Sequence, residues 1–182
     1  MPRAEAVCDA DLAAISAQLG RPARDVVAIA SRCPCGLPDV VSTAPRLQDG
    51  TPFPTFFYVT CPRLNSAIST LESEGLMAAM QQRLSQEPAT AERYQRAHDL
   101  YLRGRAEHGE VAEIDGISAG GMPERVKCLH VLVGQALAMG GSLGGHSITD
   151  VSPTVAHILG IQMRNVDGYS RATQAILPQP PQ

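Results

Sequence analysis

Two short runs rich in β-branched residues, Asp25 to Ser31 and Asp39 to Thr43, stand on either side of Cys33-Pro34-Cys35-Gly36-Leu37-Pro38. Two prolines and a glycine in so short a connection fit a tight turn, so the runs are predicted to be neighbouring strands with a cysteine pair on the turn between them. A third run, Thr55 to Thr60, is aromatic and β-branched and ends at Cys61-Pro62. Proline suits the first turn of a helix, and Leu64, Ile68, Leu71 and Leu76 then mark one apolar face, so a helix is expected over 62–84 with a weak point at Gly75. The sheet is therefore small, and the chain beyond it is expected to be mainly helical.

Further helices are implied by the same periodicity. Asp9 to Leu19 carries Leu12, Ile15 and Leu19 at helical spacing and opens on an aspartate able to cap it. Pro88 begins a stretch to about residue 107 in which Tyr94, Ala97, Tyr101 and Leu102 can face a core, and Val126 to Met139 reads as a buried helix. The glycine-rich segment Gly116 to Pro123 reads as a linker or mobile loop. It lacks the Lys-Ser/Thr ending of a phosphate-binding loop. The expected architecture is α+β, a small sheet of short strands covered by several helices, in one domain over residues 1–140. Gly140-Gly141 and Gly144-Gly145 then lead into a tail, 141–182, with one more helix near 151–159.

Composition narrows the function. With no tryptophan and three phenylalanines, the core must come mainly from Ala, Val, Leu and Ile. The net charge is −3, and the 15 basic residues are scattered along the chain, which argues against nucleic acid as a partner. No stretch approaches the ~20 apolar residues that span a bilayer, and no basic-then-apolar leader opens the sequence, so a cytoplasmic protein without a membrane partner is expected. In that compartment the five cysteines are expected to be thiols, free for metal, catalysis or burial.

Four of those thiols and a histidine fall in three compact motifs: Cys33-Pro34-Cys35, Thr60-Cys61-Pro62 and Lys127-Cys128-Leu129-His130. Each lies at a predicted strand end, turn or helix start, where distant segments converge. Cys33, Cys61, Cys128 and His130 would make a tetrahedral Cys₃His set for zinc. A different chemistry uses Cys61 or Cys128 as a nucleophile, its thiolate favoured by a helix N-terminus or by Lys127. His130 would then serve Cys61 or Cys33 across the fold, because i and i+2 positions on a helix do not face each other. In a third reading the cysteines are small buried hydrophobes of an interaction module. Arg32, Arg46 and Lys127, with Arg63, flank the same motifs and could hold an anionic ligand.

The ordered series Leu19-Gly20-Arg21-Pro22, Arg32-Cys33-Pro34-Cys35-Gly36-Leu37-Pro38, Pro45-Arg46-Leu47, Asp49-Gly50-Thr51-Pro52-Phe53-Pro54-Thr55, Thr60-Cys61-Pro62, Leu71-Glu72 and Val126-Lys127-Cys128-Leu129-His130 resembles a bacterial, largely actinobacterial family. It is the family known as domain of unknown function 501, and the resemblance covers about residues 10–140. It implies a shared site at Cys33, Cys61, Cys128 and His130, with Cys35 the weakest member, and it implies no particular reaction. The tail is similar to something else. Thr149 to Ile161, followed by Asp167-Gly168, resembles the closing segment of alkaline-phosphatase-like phosphodiesterases and sulfatases, which implies a supporting helix and no catalytic group.

Overall fold

The computed structural model describes residues 4–33 and 35–139, together with the backbone of residues 142, 143, 146 and 147. The helix expected at 151–159 and the rest of the tail lie outside the described residues. Helix α1 spans Asp9–Leu19 and is followed by strands β1 (Val26–Arg32), β2 (Pro38–Thr43) and β3 (Phe57–Val59). Helices α2 (Pro62–Ser73), α3 (Leu76–Gln86), α4 (Pro88–Ala106) and α5 (Leu129–Ala138) come next, and a two-residue ladder pairs β4 (Ser142–Leu143) with β5 (His146–Ser147). The α+β expectation holds.

The first three strands form an antiparallel sheet in the order β1-β2-β3. As the middle strand, β2 is buried at all six positions, and its side chains divide between two cores by strand alternation. Val41 joins Ile15 of α1 and Ile29 on one face, while Val40 joins the larger core with Phe57, Val59, Ile68, Leu71, Tyr101, Leu129 and Val133 on the other. Helix α5 lies in that second core, buried from Leu129 to Ala138 except at His130 and Leu137. It approaches β3 so closely that a Cβ at Gly134 would sit 3.3 Å from the Phe57 carbonyl oxygen.

Several boundaries differ from those expected. The 62–84 helix is two helices, because Gly75 takes φ +84°, a left-handed conformation that ends α2 and begins α3. Helix α1 is capped by Cys8, not Asp9. The Cys8 thiol and backbone N–H both donate to Asp11, at 3.1 and 3.3 Å, and Leu12 faces solvent while Asp11 and Ile15 are buried. Helix α5 starts at Leu129, three residues later than the pattern suggests.

The 111–123 segment is anchored, not a free linker. The buried Arg105 guanidinium donates to the carbonyls of Ile117 (2.6 Å), Ile114 (2.7 Å) and Pro54 (3.1 Å), and burial lowers its pKa. His98, buried on α4, sits 3.0 Å from the Ser118 hydroxyl, which donates onward to the Met122 carbonyl. These contacts fix the loop that leads into α5.

Candidate metal centre

The chain enters α5 along an extended segment held from three helices. Gln81 of α3 accepts the Val126 N–H at 2.9 Å and donates to the Glu124 carbonyl at 3.2 Å. Tyr94 of α4 donates its hydroxyl to the Arg125 carbonyl at 3.0 Å. The backbone N–H groups of Arg125 and Lys127 donate to Gly121 and Gly120, each at 2.8 Å. Finally Glu72, in the last turn of α2, accepts the Leu129 N–H at 2.7 Å. That bond satisfies an otherwise orphaned donor and sets a carboxylate at the positive end of α5, which is why the helix begins there.

Cys128 is the N-cap of α5, with extended φ and ψ of −154° and 115°. The rule that i and i+2 residues point apart applies inside a helix, and Cys128 is not inside one. Its Sγ therefore reaches His130 Nδ1 at 3.9 Å, and the same nitrogen lies 3.3 Å from Glu72 Oε1. One donor atom from each of the three residues falls within 4.8 Å of the others, and all three residues are part-buried. His130 and Glu72 keep about a quarter of their side-chain surface, 28% and 23%, so solvent and ions have access.

The electrostatics discourage an unaided thiolate. Burial raises the Cys128 pKa, and the charge of Glu72 and its hydrogen bond to the thiol raise it further. Nor does the geometry resemble a nucleophile–base–acid relay, in which the imidazole uses one nitrogen toward the thiol and the other toward the acid. Here sulfur and carboxylate both meet Nδ1. Convergence of S, N and O donors on one small volume is the arrangement a cation uses, and the cation would reverse the charge balance that holds the thiol protonated.

The expected Cys₃His set divides. Cys128 and His130 are together, joined by Glu72, whereas Cys33 and Cys61 lie outside that group. Helix α2 accounts for the division. Cys61 is its N-cap and Glu72 lies in its last turn, so the two stand about 16 Å apart along the helix axis. Cys33 directly follows β1 and bonds to Leu37 across the turn, while the Thr60 N–H, next to Cys61, donates to the Asp39 carbonyl at the start of β2 (2.9 Å), so both cysteines lie near the turn end of the β1–β2 hairpin. Glu72 belonged to a matched motif, Leu71-Glu72, yet a lone glutamate in a helix gives no sequence signal of a ligand.

The flanking cations have other partners. Arg32 pairs with Asp11 at 2.8 Å and Glu5 at 2.7 Å, fastening α1 to β1, and holds the Asp11 carboxyl well below the usual range. Arg46 pairs with Glu113 at 2.6 Å and donates to the Gly50 carbonyl. Lys127 is exposed, with its stem laid over Gly121, where an added Cβ would meet it at 2.9 Å. Neither arginine is therefore at the centre formed by Glu72, Cys128 and His130.

All five cysteines are free thiols, and no helix among the described residues is long and apolar enough to cross a membrane. No curated protein and no solved structure matches the chain. A family model described as "Protein of unknown function (DUF501)" matches residues 29–150, which takes in every residue of the centre and the cysteine hairpin but begins after α1. That match spans more than half of the chain, and the protein belongs to this family of unknown function.

Proposed function

We propose that this is a metal-binding protein whose centre is Glu72, Cys128 and His130, and that zinc is the ion it takes. The observation that carries the reading is the meeting of Cys128 Sγ and Glu72 Oε1 at His130 Nδ1, at 3.9 and 3.3 Å. A thiolate, an imidazole and a carboxylate suit a borderline-soft cation, and three protein ligands leave a fourth tetrahedral position open. An open position is what distinguishes zinc sites that act on a ligand from those that only brace a fold. The segments bearing the ligands are already pinned, so binding needs little rearrangement. Free thiols and such a site fit a reducing compartment, and we place the protein in the cytoplasm.

Elemental analysis of protein purified without a metal-affinity tag tests this directly. Near-stoichiometric zinc is expected, and Cys128→Ser or His130→Ala is expected to weaken binding by about 100-fold or more, since even losing a ligand's outer partner costs 10–100-fold. Full retention of zinc by both variants, or no zinc affinity in the parent chain, overturns the assignment.

A further inference from the structure

Three sequence motifs that take no part in the metal centre meet on the other face of the sheet. Leu19 and Arg21 from the first, Leu47 from the second and Phe53 from the third line one cavity between α1 and the three strands. Strand alternation puts Val41 on this face and Val40 in the larger core, and Tyr58 of β3 pairs with Val41. The cavity measures about 160 Å³, and Ile15, Val26, Val41, Leu47, Phe53 and Tyr58 give it an apolar lining. Ile15 and Val41 are buried, but Leu19, Val26, Leu47, Phe53 and Tyr58 are only half-buried, so the small core on this face is not closed over.

Cationic and hydrogen-bonding groups complete the lining. Arg21 and Arg24, both exposed, sit on a turn held by Ser16, whose carbonyl accepts the Arg21 N–H at 3.2 Å and whose hydroxyl accepts the Ala23 N–H at 2.9 Å. The Arg21 guanidinium donates to the Tyr58 hydroxyl at 3.4 Å, with its central carbon 6.0 Å from the ring centroid. Among the described residues no carboxylate lies within ion-pairing distance of Arg21, and the Tyr58 hydroxyl proton has no acceptor. Asp25 is the one acidic residue of the lining, and its Oδ1 is taken by the Gln48 N–H at 3.0 Å. Arg24 shares its charge with Asp49, whose carboxyl it helps to lower. Arg21 and Tyr58 thus present unmatched donors beside an apolar cavity, which complements a carboxylate carried on an apolar body.

We propose that this cavity binds a small monocarboxylic acid with a benzene-sized apolar body, its carboxylate held by Arg21 and the Tyr58 hydroxyl and its body against Val41, Leu47 and Phe53. The size class follows from the volume, since an apolar cavity of about 150 Å³ holds a benzene ring. Arginine suits the carboxylate because its planar fork donates two parallel bonds. The site lies on the face of the sheet turned away from the core that contains α5, and it stands or falls without the Glu72, Cys128 and His130 centre.

Benzoate is the probe, titrated into the full chain in chelator so that no bound metal competes for its carboxylate, and followed by methyl NMR. Saturable shifts are expected at the Ile15, Val26 and Val41 methyls and not at Leu129 or Val133 of the larger core, with a dissociation constant of about 1 mM or below. Benzamide keeps the ring without the charge, and acetate keeps the charge without the ring. Each is expected to bind at least about tenfold more weakly than benzoate. Arg21→Gln should weaken benzoate about tenfold and leave benzamide unchanged, which separates a lost charge partner from an altered cavity, and Tyr58→Phe should weaken benzoate about threefold. Arg21 is exposed, so its replacement leaves the fold intact. No saturable benzoate binding at about 10 mM, equal affinity for benzamide, parent affinity in Arg21→Gln, or shifts centred on the larger core overturns the proposal.

Discussion

Glu72→Gln separates the two roles that the structure gives this side chain. Glutamine keeps an oxygen to accept the Leu129 N–H, now made at 2.7 Å, and removes only the charge. Without metal, the loss is that of a carboxylate at a helix N-terminus, about 0.3–1 kcal/mol. With metal, a ligand is gone. At free zinc 100-fold above the parent dissociation constant, binding adds about 2.7 kcal/mol to parent stability, whereas a variant that binds 100-fold more weakly gains about 0.4 kcal/mol. The zinc-dependent increment should therefore shrink by about 2.3 kcal/mol. Urea unfolding of both proteins, in zinc buffer and in chelator, measures it. The charge of Glu72 helps raise the Cys128 pKa, so the variant's Cys128 should also label faster at a given pH. Equal zinc increments in the two proteins, or none in the parent, would refute the ligand assignment. A large loss in chelator with the increment intact would show that Glu72 is a cap and nothing more.

Arg105→Met removes the donor shared by Pro54, Ile114 and Ile117, and urea unfolding should show a loss of about 2–4 kcal/mol, since each orphaned buried acceptor is costly and removing the buried charge returns only part of it; a change below about 1 kcal/mol would mean the loop anchors itself. Burial lowers the His98 pKa from its ordinary 6.5, so the unfolded chain binds the proton more readily than the folded one. Stability should be full above pH 6.5 and decline as pH falls below it toward the lowered folded value, and His98→Gln should flatten that part of the pH profile.

Much of the fold was legible because it obeys local rules. The Pro-Cys-Gly turn between β-branched runs became the β1–β2 hairpin, Pro62 and Pro88 sit at the first positions of α2 and α4, and Tyr94, Ala97 and Tyr101 face the core as their spacing implies. The features that were not legible depend on tertiary partners. The anchoring of the 111–123 loop rests on Arg105 reaching three carbonyls, and no composition signal marks an arginine for burial. The late start of α5 rests on Glu72, 57 residues earlier in the chain, accepting the first N–H. That shift of three residues also decides the chemistry. Had α5 begun at Val126, Cys128 and His130 would have pointed apart.

Proximity to a helix end places each cysteine motif at a converging point, but it does not say which point. Helix α2 acts as a spacer with Cys61 at one end and Glu72 at the other, and its length forbids a shared coordination sphere. Motifs that look equivalent in sequence are thereby sorted into two environments of different character. At one end a carboxylate, an imidazole and one thiol are preassembled, partly open to solvent, on segments pinned by α2, α3 and α4, which suits a centre that presents an ion to a ligand. At the other, Cys35 lies on an exposed turn, Cys33 is half-buried beside it, and Cys61 is a buried helix cap. Zinc bound at the preassembled centre should therefore change hydrogen exchange at the Leu129 amide, which bonds to Glu72, while the Cys33 and Gly36 amides of the β1–β2 turn should exchange as before; equal changes at both ends, or none at Leu129, would contradict this sorting.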